Sequence, residues 1–164
     1  MLKALRFITL VLAALSMTME SAHLLELPQK MQYDSAMYTA VNGSLYRYFA
    51  IVGGTYQLLS IVAAVVLAFV VRRRGQATFR WTIAGAACLV AAFVIWLAVV
   101  APVNSDVSGA LAANPDSVPA LWMQLRGRWE YGHVAGFVVQ LMGLCALVMS
   151  MLVETPDITQ GRME

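Results

Sequence analysis

The sequence predicts an all-α integral membrane protein, a four-helix bundle with both termini in the cytoplasm and structured outer loops. Of its 164 residues, 60% are hydrophobic and 12% are charged, whereas a soluble domain is about half apolar and a quarter charged. Four long apolar segments supply the excess, at residues 5–25, 45–71, 81–103 and 129–153. Each is long enough to cross a bilayer as a helix. We therefore expect a single transmembrane domain over residues 1–164.

The apolar segments are predicted to be helices because each exceeds the length of a membrane strand and none alternates with period two. The first segment follows Lys3 and Arg6, a pattern that secretory signal peptides share. We interpret it as a retained span, because it is longer than a signal core and residues 21–23 form a poor cleavage site.

Basic residues beside the apolar segments predict the orientation of the chain. Lys3 and Arg6 precede the first span, and arginines fill the link between the second and third, at positions 72–74 and 80. The positive-inside rule places these segments in the cytoplasm. The longer connections, residues 26–44 and 104–128, then cap the bundle on the opposite side. We expect a multi-pass protein of a cell membrane, with the bacterial inner membrane as the favoured location.

The expected surroundings of the chain are the lipid bilayer and a lipophilic small molecule. The net charge is only +2, and no basic tract with interleaved aromatic residues is present, which argues against a nucleic-acid partner. Small residues inside the spans permit close helix contacts. A membrane-protein partner or a homo-oligomer therefore stays open as an expectation.

Two Glu-x-x-His motifs lie near the outer ends of the first and fourth spans. They are Glu20 with His23, and Glu130 with His133. A step of three residues returns to nearly the same helix face, so each motif presents a carboxylate beside an imidazole. Because the first helix runs outward and the fourth inward, the two histidines are predicted at depths that agree within about 3–5 Å.

Further polar and aromatic residues are expected at the same end of the bundle. The candidates for binding a ligand are Asn104, Trp129, Tyr46, Arg47 and Arg128. Polar residues also continue the inward faces of three spans, at Ser16, Gln57 and Gln140. These positions predict a polar pocket whose floor reaches partway into the membrane.

The ionisable residues have a structural interpretation beside the functional one. The glutamates and histidines could pair with Arg47, Arg126 or Arg128 near the headgroups and hold the outer end together. Ionisable groups within a span are costly unless paired, and they mark functional sites by default. Two matching motifs at one depth favour a functional pocket.

Three chemical interpretations of this pocket remain open. In the first, His23, His133, Glu20 and Glu130 ligate a transition metal; a full di-iron set is absent, because the second and third spans contain no Asp or Glu. In the second, the two histidines ligate a haem from opposite sides. In the third, no cofactor is required, and a histidine paired with a carboxylate is a general base toward a lipophilic substrate.

Two segments carry a family resemblance. Residues 102–104, Pro-Val-Asn, close the third span, and residues 128–133, Arg-Trp-Glu-Tyr-Gly-His, open the fourth. With the four spans, they resemble the anthrone-oxygenase-like family of small membrane proteins. The resemblance covers essentially the whole chain, although its specific part is limited to these segments. Fungal members resemble enzymes that oxidise an anthrone carbon to a quinone with molecular oxygen, while most bacterial members have no assigned activity.

The resemblance implies roles for individual residues. His133, assisted by Glu130, would remove a benzylic proton, and the carbanion would react with oxygen without a bound redox centre. Trp129 and Tyr46 would stack on the aromatic rings, and an oxyanion would be held by Asn104 or Arg128. Glu20 and His23 lie outside the matched motif, so their catalytic role depends on their predicted depth.

The sequence as a whole favours an oxygenase-like membrane enzyme acting on a lipophilic aromatic or quinone-like substrate. The first alternative is a metal- or haem-binding membrane protein that uses the Glu-x-x-His pairs. The second is a non-catalytic subunit of a larger membrane complex.

Overall fold

The predicted all-α four-helix membrane bundle is confirmed by a computed structural model that describes residues 1–154 and contains no strand within them. Its helices are α1 (Leu2–Lys30), α2 (Ser35–Ser44), α3 (Phe49–Val71), α4 (Gln76–Ile95), α5 (Ala101–Ala113) and α6 (Val118–Leu152). A π-helical turn, Trp96–Val100, joins α4 to α5, and a 3-10 turn, Pro115–Ser117, precedes α6. Four helical segments are long and apolar enough to cross a membrane: Leu2–Lys30, Phe49–Val71, Gln76–Ala113 and Pro115–Leu152.

The spanning helices form a ring in which each packs against two others. Helix α1 packs against α3 and α6, and α4 packs against the same two helices. The first and last spans are therefore neighbours although they are far apart in the sequence. This adjacency brings the two Glu-x-x-His motifs into one site.

The outer connections, residues 26–44 and 104–128, are largely helical. Pro28 lies inside α1, and Asn42 and Gly43 lie inside α2. The helices are interrupted at residues 31–34 and at Asn114, before the 3-10 turn. Because α1 continues beyond the predicted first span to Lys30, it carries an additional charged residue toward the site.

The bundle exposes many large apolar side chains and buries several polar ones. Large apolar side chains face outward, with Ile51 70% exposed and Phe69 64% exposed. Buried positions include Ser16, Gln57 and Gln140. A lipid environment accounts for both, because lipid tails solvate apolar side chains and polar groups must find partners inside the protein.

Glycines permit the closest helix contacts. A Cβ atom on Gly85 of α4 would lie 2.7 Å from Leu147 Cγ and 3.0 Å from the Gly143 carbonyl oxygen of α6. On Gly136 it would lie 3.4 Å from the Glu20 carboxylate. The small residues therefore bring α4 against α6, and they let the Glu20 side chain lie directly on α6.

One end of the bundle carries the basic residues that the positive-inside rule assigns to the cytoplasm. Glu154 forms ion pairs with Arg6 and with Arg74, the latter at 3.4 Å. Residue 154, the start of α1 and the link between α3 and α4 therefore share one end. The Glu-x-x-His motifs lie toward the other.

Candidate active site

The two histidines of the motifs are in direct contact. The imidazole rings of His23 and His133 stack with their centroids 4.0 Å apart and their planes inclined by 20°. His23 is also stacked on Tyr46, at 4.6 Å, so it lies between two rings. The equal depth predicted for the histidines is consistent with this contact, which also requires that α1 and α6 be neighbours.

The carboxylates pair across helices and not within their own motifs. His133 Nδ1 lies 2.7 Å from Glu20 Oε2, whereas Glu130 is completely buried and contacts Lys30 and Tyr38. Glu130 Oε2 is 4.0 Å from His23 Nδ1, beyond hydrogen-bond distance. The carboxylate that orients His133 is therefore Glu20, which the sequence resemblance had not assigned.

Lys30 is a site residue that the sequence reasoning missed. Its ammonium lies 2.6 Å from Glu130 Oε1, and 4.3 Å and 4.7 Å from the ring centroids of Tyr46 and Trp129. The predicted first span ended at residue 25, which left Lys30 in the connection after it. The available signal was spacing: Lys30 follows His23 by seven residues, or two helical turns, and so shares its face when α1 continues.

Tyr38 is the second residue that was missed. It belongs to α2, whose N-terminus is capped by the Asp34 side chain. Its phenol is completely buried and donates a 2.8 Å hydrogen bond to Glu130 Oε1. Burial, followed by the proximity of the Glu130 carboxylate, raises the pKa of Tyr38 above its ordinary value. The phenol therefore stays protonated and continues to donate.

The predicted aromatic residues pack against the histidines. Trp129 is buried, with its ring edge-on to both imidazoles at 4.7 Å and 4.5 Å. Its Nε1 donates a 2.8 Å hydrogen bond to Asn104 Oδ1. Asn104, in the first turn of α5, is therefore engaged in fixing the indole ring.

The predicted arginines do not pair with the site carboxylates. Arg128 is exposed and donates to the carbonyl oxygen of Ala98 at 3.2 Å. The Ala98 carbonyl belongs to the π-helical turn Trp96–Val100, so Arg128 ties the start of the fourth span to that turn. Arg126 donates to the Tyr33 carbonyl oxygen at 3.0 Å. In the described chain neither glutamate of the motifs pairs with an arginine, contrary to the structural interpretation.

A cavity of about 400 Å³ adjoins the histidines, and we call it the central cavity. Its volume lies within the range of small-molecule sites. Its walls are mainly apolar and aromatic, and the predicted residues Glu20, His23, Tyr46, Asn104, Trp129 and His133 all line it. Arg47, an exposed residue, also lines it, whereas Arg128 and Glu130 do not.

The inner end of the central cavity is polar. Ser16 Oγ donates to Gln57 Oε1 at 2.5 Å, and Gln57 Nε2 donates to the Leu89 carbonyl oxygen at 2.7 Å. Gln140 lines the same region and is 3% exposed, and its Oε1 has no hydrogen-bond partner within residues 1–154. The predicted polar floor therefore contains one amide that is hydrogen-bonded through its oxygen and its nitrogen, and one whose oxygen is unpaired.

The geometry does not fit a haem held between the histidines. A metal bound to imidazole lies in the ring plane, about 2 Å from the nitrogen. The planes of His23 and His133 are nearly parallel and face each other, so one iron cannot lie in both planes between the rings.

A shared metal ion also fits poorly. The ammonium of Lys30 occupies one oxygen of Glu130, where it would repel a cation. Within residues 1–154, no group of three or more His, Cys, Asp or Glu side chains is arranged to hold a metal ion.

The chain matches no family model, and no curated protein or solved structure is significantly similar to it.

Proposed function

We propose that this protein is a membrane-embedded, oxygenase-like enzyme acting on a lipophilic aromatic substrate, with His133 as the general base and Glu20 as its partner. The observation that carries the proposal is the state of His133. Its Nδ1 is 2.7 Å from the Glu20 carboxylate, while its Nε2 has no hydrogen-bond partner among the described residues. An imidazole held at one nitrogen and free at the other is the arrangement of a general base.

Charged side chains lie around the two histidines. They are the carboxylates of Glu20 and Glu130 and the ammonium of Lys30. The Glu20 carboxylate is 2.7 Å from His133 Nδ1. An imidazolium formed by proton abstraction would therefore have an anion in direct contact, and a charge within a span is less costly when it is paired.

The reaction needs only dioxygen as its oxidant. His133 removes a proton from an activated benzylic CH2 group, and the electron pair of the C–H bond stays on carbon. The carbanion reduces dioxygen as the C–O bond forms, and protonation gives a hydroperoxide. Loss of the second benzylic proton breaks the O–O bond, leaving a carbonyl group and water. In sum, CH2 and O2 become C=O and H2O.

The central cavity suits an apolar ring system. Trp96, Phe93 and Trp122 contribute aromatic walls, and the cavity volume of about 400 Å³ is sufficient for a small polycyclic molecule. Because it is lipophilic, such a substrate would be concentrated in the bilayer, which the helices around the cavity face. The basic end of the bundle supports a multi-pass orientation with the site toward the outer side of a bacterial inner membrane.

Oxygen uptake by the purified chain in lipid nanodiscs tests this proposal, with anthrone as the substrate and anthraquinone as the measured product. We expect His133→Ala to lower the protein-dependent rate by about 100-fold or more, the usual contribution of a general base. Tyr131→Phe is the matched control, because Tyr131 lies on the same helix and is 60% exposed. The lipid-only rate corrects for spontaneous oxidation.

Two results would overturn the proposal. Equal rates for the wild type and His133→Ala would remove the base, leaving a non-catalytic subunit as the better interpretation. Loss of the rate on chelation, with recovery on adding a transition metal, would favour the metal-binding alternative.

A further inference from the structure

Gln140 occupies a position that the proposed reaction does not use. It lies on α6, is 3% exposed and lines the inner end of the central cavity. Its side-chain oxygen is buried without a hydrogen-bond partner in the described part of the chain. A buried amide oxygen in this state is costly, particularly within a membrane span, where lipid supplies no donor.

The hydrogen bonds of the neighbouring polar groups do not reach Gln140. The Gln57 oxygen accepts from Ser16, and the Gln57 nitrogen donates one N–H to the Leu89 carbonyl. The Ser16 hydroxyl has one proton, which it donates to Gln57. The Gln140 oxygen is therefore left as an unpaired acceptor in a side chain that lines the cavity.

The spacing of Gln140 and His133 relates this acceptor to the proposed base. Seven residues separate them, which is two helical turns, so both project from nearly the same face of α6 about 10 Å apart. A hydrogen bond from a ligand to Gln140 spans about 3 Å of this distance. The contact between His133 and the reacting atom of the ligand spans about another 3 Å. The remaining 4–5 Å, roughly, matches the width of one aromatic ring with its substituent.

We propose that Gln140 is the specificity-determining residue of an inner subsite that accepts a hydrogen bond from an aromatic hydroxyl group. The substrate is then a hydroxylated aromatic molecule that enters with its hydroxyl toward Gln140 and presents its reacting carbon to His133. This inference rests on the proposed function for the identity of the reacting carbon. The hydroxyl subsite itself depends on the cavity and the unpaired acceptor alone.

Equilibrium binding of two probes tests the subsite without any reaction. The probes are 1-naphthol and 1-methoxynaphthalene, which have similar shapes, although only the first donates a hydrogen bond. Binding to the full chain in nanodiscs can be followed by quenching of tryptophan fluorescence, because Trp96, Trp122 and Trp129 line the cavity. The Kd of each probe is compared between variants, so the partitioning of that probe into lipid, which is the same for every variant, cancels.

Loss of the acceptor should weaken only the hydroxylated probe. We expect Gln140→Leu to raise the Kd of 1-naphthol by about fivefold to tenfold, the effect of one hydrogen bond, and to leave that of 1-methoxynaphthalene within about twofold. Gln140→Met repeats the test with an unbranched side chain of similar length, should the leucine variant fail to fold. Gln124→Leu is the matched control, an exposed position on the same helix outside the cavity.

The outcomes separate this inference from the proposed function. The hydroxyl subsite would be overturned if Gln140→Leu and Gln140→Met weakened the binding of both probes by the same factor, or if they changed the binding of neither probe. Selective weakening of 1-naphthol supports it, even where anthrone oxidation by the wild type is absent. In that case the oxygenase proposal fails and the binding site stands.

Discussion

His133 Nδ1 and Glu20 Oε2 lie 2.7 Å apart, although 113 positions separate these residues in the sequence. The contact forms because α1 and α6 are neighbours and because Gly136 leaves room for the Glu20 carboxylate against α6. It fixes the imidazole through one nitrogen. Glu20 is a positioning residue in this arrangement, since it acts on the substrate through His133.

The contact predicts that Glu20→Gln slows anthrone oxidation by about tenfold or more, because an amide stabilises the imidazolium less well than a carboxylate does. Asp106→Asn is the control, since Asp106 is exposed. A wild-type rate for Glu20→Gln would show that His133 does not depend on this contact.

A second prediction concerns the buried pair of Lys30 and Glu130, whose facing atoms are 2.6 Å apart. Removing one partner leaves a buried charge, so Lys30→Met should lower the free energy of unfolding by about 3–5 kcal/mol. Thermal unfolding in detergent measures this loss. The surface change Lys3→Met should have little effect, because Lys3 is exposed.

The double variant Lys30→Met/Glu130→Gln tests the cause of that loss. If the unpaired carboxylate is responsible, neutralising it should restore part of the stability. The double variant should then lose less free energy of unfolding than the two single variants lose when their losses are added. Additive costs would contradict an interaction between the two side chains.

A third prediction concerns the crossing of α4 and α6. A Cβ atom on Gly143 would lie 3.0 Å from Cys88 Cβ and 3.2 Å from the Gly85 carbonyl oxygen. Gly143→Ala should therefore separate the helices and lower the Tm. On the same helix Gly127 has nothing within 4 Å of its Cβ position, so Gly127→Ala should be neutral or stabilising by about 0.5–1 kcal/mol. Both variants add one methyl group to α6, and they differ in the atoms that surround it. Equal Tm values would refute the close crossing of α4 and α6.

A fourth prediction concerns orientation in the membrane. In a background without Cys88 and Cys145, a membrane-impermeant maleimide should label Asp106→Cys in intact spheroplasts. It should label Arg73→Cys only after the cells are opened. Both parent positions are exposed, so access to the reagent, and not burial, decides the result. The reverse pattern would place the candidate site on the cytoplasmic side.

Several features of the site could be predicted from local sequence. The three-residue step of each Glu-x-x-His motif places the pair on one helix face, and the opposed directions of the first and fourth spans give the histidines similar depths. The resulting polar pocket, with Tyr46, Asn104 and Trp129 at its wall, is present. The partner of each side chain could not be predicted in this way, because it belongs to another helix.

Lys30 shows where local reasoning fails. Pro28 normally ends or disturbs a helix, yet α1 continues through it. The pairing of the Lys30 ammonium with Glu130, and its position over the rings of Tyr46 and Trp129, stabilise the end of that helix. These contacts come from α6 and from the turn before α3, so no window of sequence around Pro28 contains them.

By itself the sequence determined that the chain forms four membrane-spanning helices, because the length and apolarity of a segment decide its transfer into lipid one segment at a time. It also placed ionisable residues on particular faces, because helical periodicity is a local property. Only the tertiary structure decided that His133 pairs with Glu20 and that Glu130 pairs with Lys30. It also decided that the side-chain oxygen of Gln140 has no hydrogen-bond partner within residues 1–154. These outcomes depend on which helices are neighbours, and that order is set by packing among all four spans.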